Sequence, residues 1–263
     1  MINLTTFSSP EAAGAGVIYV VGDIHGRLDL LRSIEDLIAA DIESGTGKSP
    51  LICYLGDYVD RGPQSAEVIE WLSSRRPGRV KRVFLKGNHE DRMLAFLADP
   101  AAHGPAWLQY GGRDAFESYQ IDLPAAPNTR DWDDARTELA RRLPGSHADF
   151  LSNLRVAFRW RAYLMVHAGL DPDFSLEQQP QRALMWIRDP FLKSERDWGM
   201  RVVHGHVMVE EPVFRPNRIN IDTGAWRTGR LTCLVLGDGV PRILQTGPQP
   251  ASQRVDAIGG AGS

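Results

Sequence analysis

The sequence predicts an α/β fold in which two mixed β-sheets pack face to face as a sandwich, with helices outside. Apolar runs alternate with helical periodicity through the first hundred residues, while Tyr163 to Leu236 is dominated by short apolar runs. Run after run also ends in glycine beside aspartate, asparagine or histidine.

Val17 to Val21 is a continuous apolar run closed by Gly22, the pattern of a buried strand. Leu30, Leu31, Ile34, Leu37, Ile38 and Ile42 follow at helical spacing. Leu51 to Leu55 is the second strand, and Ser65 is placed to cap a helix whose apolar face carries Val68, Ile69 and Leu72. Val83 to Leu85 is the third strand; Met93, Leu94 and Leu97 mark a helix that stops before Pro100. This rhythm predicts a mostly parallel sheet with crossover helices. Residues 101–160, with helical stretches near 133–143 and 147–154, break the rhythm and read as a cap or insertion over one edge of the sheet. Tyr163 to Val166, Val202-Val203, Ile219 to Ile221 and Leu231 to Leu236 are the remaining strands. The Ser-, Ala- and Gly-rich residues 1–16 are expected to be flexible and 246–263 a disordered tail, leaving a domain at 17–245.

The 263 residues are 43% apolar and 24% charged, with a net charge of −3, which makes the chain globular and argues against nucleic acid as the main partner. No apolar run approaches the ~20 residues that span a bilayer, and the N-terminus lacks a basic segment followed by an apolar one, so a cytoplasmic protein is expected. Cys53 and Cys233 lie in apolar runs and read as buried thiols.

Ligands of open α/β sheets gather beyond the carboxyl ends of strands. There this sequence places Gly22-Asp23-Ile24-His25-Gly26, Gly56-Asp57-Tyr58-Val59-Asp60-Arg61-Gly62, Gly87-Asn88-His89-Glu90, His167-Ala168-Gly169 and His204-Gly205-His206. Five of the seven histidines are in these loops. Turn chemistry calls for glycine and aspartate but not for histidine, so the cluster points to metal binding. An oxygen and nitrogen donor set suits manganese, iron or zinc, with manganese first. Asp23, His25 and Asp57 can make one site, and Asn88, His167 and His206 a second, with Asp57 bridging two divalent ions. Such a pair clamps both oxygens of a displacement at phosphorus.

In these motifs the chain resembles the phosphoprotein phosphatase family of calcineurin-like metallophosphoesterases. GDIHG, GDYVDRG, GNHE, HAG and GH occur in family order between about 17 and 240, and the resemblance implies that family's sandwich fold. WIRD at 186–189 and IDTGA at 221–225 are similar to small bacterial and phage serine/threonine protein phosphatases. Where many metallophosphoesterases carry GHxH, this chain reads Gly205-His206-Val207-Met208, which leaves His204 without an assigned role. The resemblance implies that His89 is the general acid, oriented by Asp60, and that Arg61 and Arg188 grip the phosphoryl oxygens. It implies a protein serine/threonine phosphatase in which hydroxide formed at the metals attacks phosphorus directly. The alternatives are phosphotyrosine as substrate, hydrolysis of dinucleoside polyphosphates such as diadenosine tetraphosphate, and a degenerate phosphoprotein-binding module. The partner is then a phosphorylated protein or a small phosphoester.

Overall fold

The structure is a computed structural model that describes residues 1–4, 12, 14–45, 49–74 and 80–247. Two five-stranded sheets face each other between layers of helices. The first has the order β10-β9-β1-β2-β3, built from β1 (Val17–Val21), β2 (Pro50–Tyr54), β3 (Lys81–Phe84), β9 (Thr232–Leu236) and β10 (Arg242–Gln245). Its first three strands run parallel, as the crossover rhythm requires, while β9 joins β1 antiparallel with Val21 opposite Cys233. The second sheet has the order β4-β5-β6-β8-β7, from β4 (Ala157–Trp160), β5 (Tyr163–Val166), β6 (Arg201–His204), β7 (Val213–Phe214) and β8 (Arg218–Asn220). Strands β5, β6 and β8 are parallel and the edge strands antiparallel, so both sheets are mixed.

Period-two alternation sorts the strand residues between three cores. Ile18 and Val20 of β1 meet Phe158, Met165, Val203 and Ile219 in the sandwich interior. Tyr19 and Val21 point the other way, into a core shared with α1 (Leu28–Ser44) and α2 (Ser65–Ser73). Leu164, Val166 and Val202 cover the far side of the second sheet with Phe191 and Trp198. Because both faces of β1 and β2 are buried, those strands read as unbroken apolar runs.

Several local expectations are corrected. Ser65 is the first residue of α2 rather than its cap; its hydroxyl accepts the Asp60 N–H at 2.9 Å. The helix before Pro100, α3 (Asn88–Ala98), ends as expected, but Pro100 opens α4 (Pro100–Gln109), where a missing N–H does no harm. With α5 (Gly112–Ser118), α6 (Thr129–Arg142) and α7 (Gly145–Ser152), α4 packs on α2 and α3 rather than directly over a sheet edge. Within the span assigned to the cap, β4 belongs to the second sheet. Within the stretch expected to be flexible, Ile2 pairs with Gln179 through two backbone hydrogen bonds and Leu4 is fully buried. Most of the predicted tail, 248–263, lies outside the described residues. No described helix is long and apolar enough to cross a membrane.

Candidate active site

The loops after β1, β2, β3, β5 and β6 converge at one end of the sandwich, and they bring the predicted ligand side chains together. Asp57 is the centre: its Oδ2 lies 3.5 Å from His25 Nε2, 3.4 Å from His167 Nε2 and 3.8 Å from His89 Nε2. Two groups have donor atoms mutually within 4.8 Å, His25–Asp57–His89 and Asp57–His167–His206, with Asp57 common to both. This grouping differs from the expected one in one place: His89 stands in the first group where Asp23 was expected. Asn88 lies with the second group as expected, its Oδ1 3.0 Å from His167 Nε2. Asp23, after β1, reaches the loop after β6, where its Oδ2 accepts the His206 N–H at 3.0 Å.

These residues fit divalent cations. The Nδ1 atoms of His25 and His167 are held by backbone carbonyls, Val59 O at 2.9 Å and Leu55 O at 3.1 Å, so Nε2 faces the centre. A ring fixed in this way by its other nitrogen is what a metal-ligating histidine needs. Asp23 Oδ1 and His206 Nε2 are buried without hydrogen-bond partners. The electrostatics ask for positive charge. Burial disfavours a charged His167, yet the Asp57 and Asp23 carboxylates push it up to about 9. Against burial, the imidazoles of His167 and His89 hold Asp57 well below the usual carboxylate range. Burial pushes His206 down to about 2, so it stays neutral with a free lone pair.

Beside this centre Asp60 and His89 form a closed pair. Asp60 Oδ2 lies 2.6 Å from His89 Nδ1, and both residues are buried. The Trp107 indole N–H donates to both Asp60 oxygens, at 3.0 and 2.8 Å. Burial raises Asp60 and lowers His89 to about 4, favouring the neutral form of each. The proton between them can sit on either partner, and in both cases His89 Nε2 keeps its own proton to give. Arg61 reaches His25 Nε2 at 3.0 Å, with its guanidinium 5.3 Å from the exposed Trp226 ring. Arg188 is exposed at the start of α9 (Asp189–Lys193), near enough for its charge to act on His206.

Three participants had no predicted role. Glu90 is fully buried; its Oε2 accepts the N–H groups of Asp57 and Gly87, and its Oε1 those of Tyr58 and Val59. It lies inside GNHE, so its position was visible but its partners were not. Trp107 also serves as core, packed on Phe96 and Phe116. Asp222, just beyond β8, is buried near Asp23 and Asp57, and burial pushes it up to about 6. An acid after a strand run was the signal. His204 is turned away from the centre: it stacks edge-on against Phe191, and burial pushes it down to about 3.

The family model described as calcineurin-like phosphoesterase matches residues 16–222. An asymmetrical bis(5'-nucleosyl)-tetraphosphatase, PrpE, of Bacillus thuringiensis is 26% identical over 238 residues, covering 82% of this chain and 88% of its own length. A solved structure provisionally named a diadenosine tetraphosphatase superposes with a TM-score of 0.55 at 21% identity, over 89% of this chain and 96% of that one. A cold-active protein-tyrosine phosphatase of a psychrophilic Shewanella gives 0.55 at 17% identity, over 90% and 85%. At these identities the structural likeness speaks for the fold.

Proposed function

The chain belongs to the calcineurin-like phosphoesterase family and is a metallophosphoesterase, and on that footing we propose that it hydrolyses phosphate esters with His89 as proton donor. The Asp60–His89 pair carries this reading. A serine or threonine alkoxide is a poor leaving group and needs a proton as it departs. Two divalent ions, manganese first, held by Asp23, His25, Asp57, Asn88, His167 and His206, would polarise the phosphoryl oxygens and lower the pKa of a water. Arg61 and Arg188 hold the equatorial oxygens, for which a guanidinium fork is shaped. The water oxygen joins phosphorus as the bond to the leaving oxygen breaks. The electron pair stays with that oxygen, His89 Nε2 protonates it, and the proton shed by the water restores the pair. Protein phosphoserine or phosphothreonine is the substrate class that makes most use of such a donor.

A second reading, hydrolysis of dinucleoside tetraphosphates, is supported by the names of the relatives and by the exposed Trp226 and Tyr110 rings stacked with arginines at the mouth. Rates on a phosphoserine peptide, a phosphotyrosine peptide and diadenosine tetraphosphate separate the substrate classes. The mechanism is tested by His89→Asn, expected to lower kcat on an alkyl phosphate by about 10²–10⁴ with metal content retained. Near-normal turnover by that variant would remove His89 from the role.

A further inference from the structure

Arg92 lies one helical turn after His89 on α3, so the two side chains share a face. Trp107 and Tyr110 repeat that spacing at the end of α4, and the two pairs interlock. Trp107 bonds the Asp60 carboxylate that holds His89, while Tyr110 stacks on Arg92 with its ring centroid 3.8 Å from the guanidinium carbon. A second ring partner is Trp186, at 4.5 Å, which also carries Arg182 at 4.7 Å and whose indole N–H is fixed by Asp91 at 3.0 Å. Between two aromatic rings the half-buried guanidinium keeps its charge. Among the described residues its buried Nε has no hydrogen-bond partner, while the Tyr110 side chain also bonds the guanidinium. Its charge is felt by both members of the dyad: it draws on Asp60 and lowers His89.

We infer that Arg92 is a specificity-determining residue that binds a second anionic group of the substrate, one attached on the leaving-group side of the scissile bond. This rests on the reading of His89 as proton donor, but not on either substrate class. Stacking covers the two faces of a guanidinium and leaves its edge, where the N–H bonds lie in one plane and match a carboxylate or a phosphate. A half-buried guanidinium whose Nε has no hydrogen-bond partner gains when an anion arrives at its edge. Because His89 gives its proton to the leaving oxygen, a group held one turn away belongs to the departing half. Arg61 and Arg188 are placed for the transferred phosphoryl group, so Arg92 has a separate task. The shared chemistry is an oxyanion, supplied either by a carboxylate flanking a phosphorylated residue or by the next phosphate of a polyphosphate chain.

The test compares Mn²⁺-loaded wild type, Arg92→Gln and Arg92→Lys on matched substrates. One arm uses two phosphoserine peptides that differ by Glu or Gln after the phosphoserine. The other uses diadenosine tetraphosphate against p-nitrophenyl phosphate. Each arm reads the ratio of kcat/KM for the charged to the neutral leaving side, which is independent of the folded fraction. In Arg92→Gln the ratio should fall about ten-fold in one arm, mostly through KM, the effect of one charge-assisted hydrogen bond. Arg92→Lys, which keeps the charge without the planar fork, should recover part of it. A fall in the peptide arm assigns the carboxylate, and a fall in the nucleotide arm the phosphate. Ratios equal in all three proteins in both arms would overturn the inference even if absolute rates drop. A wild type inactive on every phosphate substrate would instead overturn the proposed function.

Discussion

Replacing Glu90 by Gln should destabilise the fold more than any exchange of comparable size on the surface. Glu90 accepts four backbone N–H groups, two on each oxygen: Asp57 and Gly87 at 2.9 Å each, Tyr58 at 2.7 Å and Val59 at 3.3 Å. A glutamine amide can accept through one oxygen only, so two of the four donors would face an NH₂ group. The side chain is fully buried, so water cannot replace the lost acceptor. Each orphaned buried donor costs about 1–3 kcal/mol, which gives about 2–6 kcal/mol for the pair. Against the roughly 5–15 kcal/mol that holds a typical domain, this is a large share. The assay is urea unfolding of wild type and Glu90→Gln with a chelator in both samples, so that metal binding adds no stability to either. A difference under about 1 kcal/mol would show that Glu90 is not the clamp between the loops after β2 and β3.

Trp107→Phe keeps the aromatic packing and removes the N–H that steadies Asp60. One hydrogen bond to a charged group predicts about a ten-fold or larger loss of kcat on an alkyl phosphate and a smaller one on p-nitrophenyl phosphate; equal losses on both would assign the effect to packing. Gly205→Ala would put a Cβ 2.0 Å from Asp23 Oδ1, so the carboxylate must swing away. Metal bound per chain, measured by elemental analysis, should fall, and unchanged stoichiometry would refute Asp23 as a ligand. Asp41 is held below the usual carboxylate range, chiefly by two 2.8 Å bonds from Arg242 with burial opposing, and also by the Tyr19 hydroxyl. A lowered folded pKa contributes stability that is complete above the unfolded value and fades as pH falls through the folded one. Asp41→Asn should therefore flatten the stability–pH curve below about pH 4, and parallel wild-type and variant curves in that acid window would contradict the assignment.

The strands that carry the motifs were legible because each is buried on both faces and closed by glycine. Val17 to Val21 and Leu51 to Leu55 left no reading but a central parallel pair. What the pattern could not tell was the neighbour of Leu231 to Leu236. Buried apolar residues look the same in either sheet, and only the long-range pairing of Val21 with Cys233 places β9 in the first. β4 and β10 were missed because Ala157–Trp160 and Arg242–Gln245 are four-residue strands with arginine in or at the start of the run. The cluster of candidate ligands was legible from residue type alone, since turn chemistry does not call for histidine. Their grouping was not, because it depends on the directions in which His89 and Asp23 enter. Apart from Gly87, three residues away, the amides Glu90 holds are 31 to 33 residues distant, and Trp107 reaches Asp60 across 47, and local pattern carries no trace of such partners.

The backbone of the site supplies one further reason for its order. His25, Asp57, Asp60, Arg61 and His206 all have φ between 48° and 73°, and they are five of the seven non-glycine residues with positive φ among those described. Each such residue costs on the order of 1 kcal/mol or more. The five share a compensation: every one of their N–H groups is bonded to another segment or to a side chain beyond its own turn. His25 donates to Asp57 O, Asp57 to Glu90, Asp60 to Ser65 Oγ, Arg61 to Gly111 O and His206 to Asp23. The left-handed turn aims each side chain inward, and the distant bond keeps it there. Gly26 and Gly62 press the first two loops together, with less room between them than a methyl group needs: a Cβ on Gly26 would lie 2.4 Å from Gly62 O. The donor geometry is therefore a property of the folded frame, held by backbone hydrogen bonds that do not depend on metal or substrate. Positioning achieved in this way is in place before the substrate arrives, which is when it lowers a barrier most.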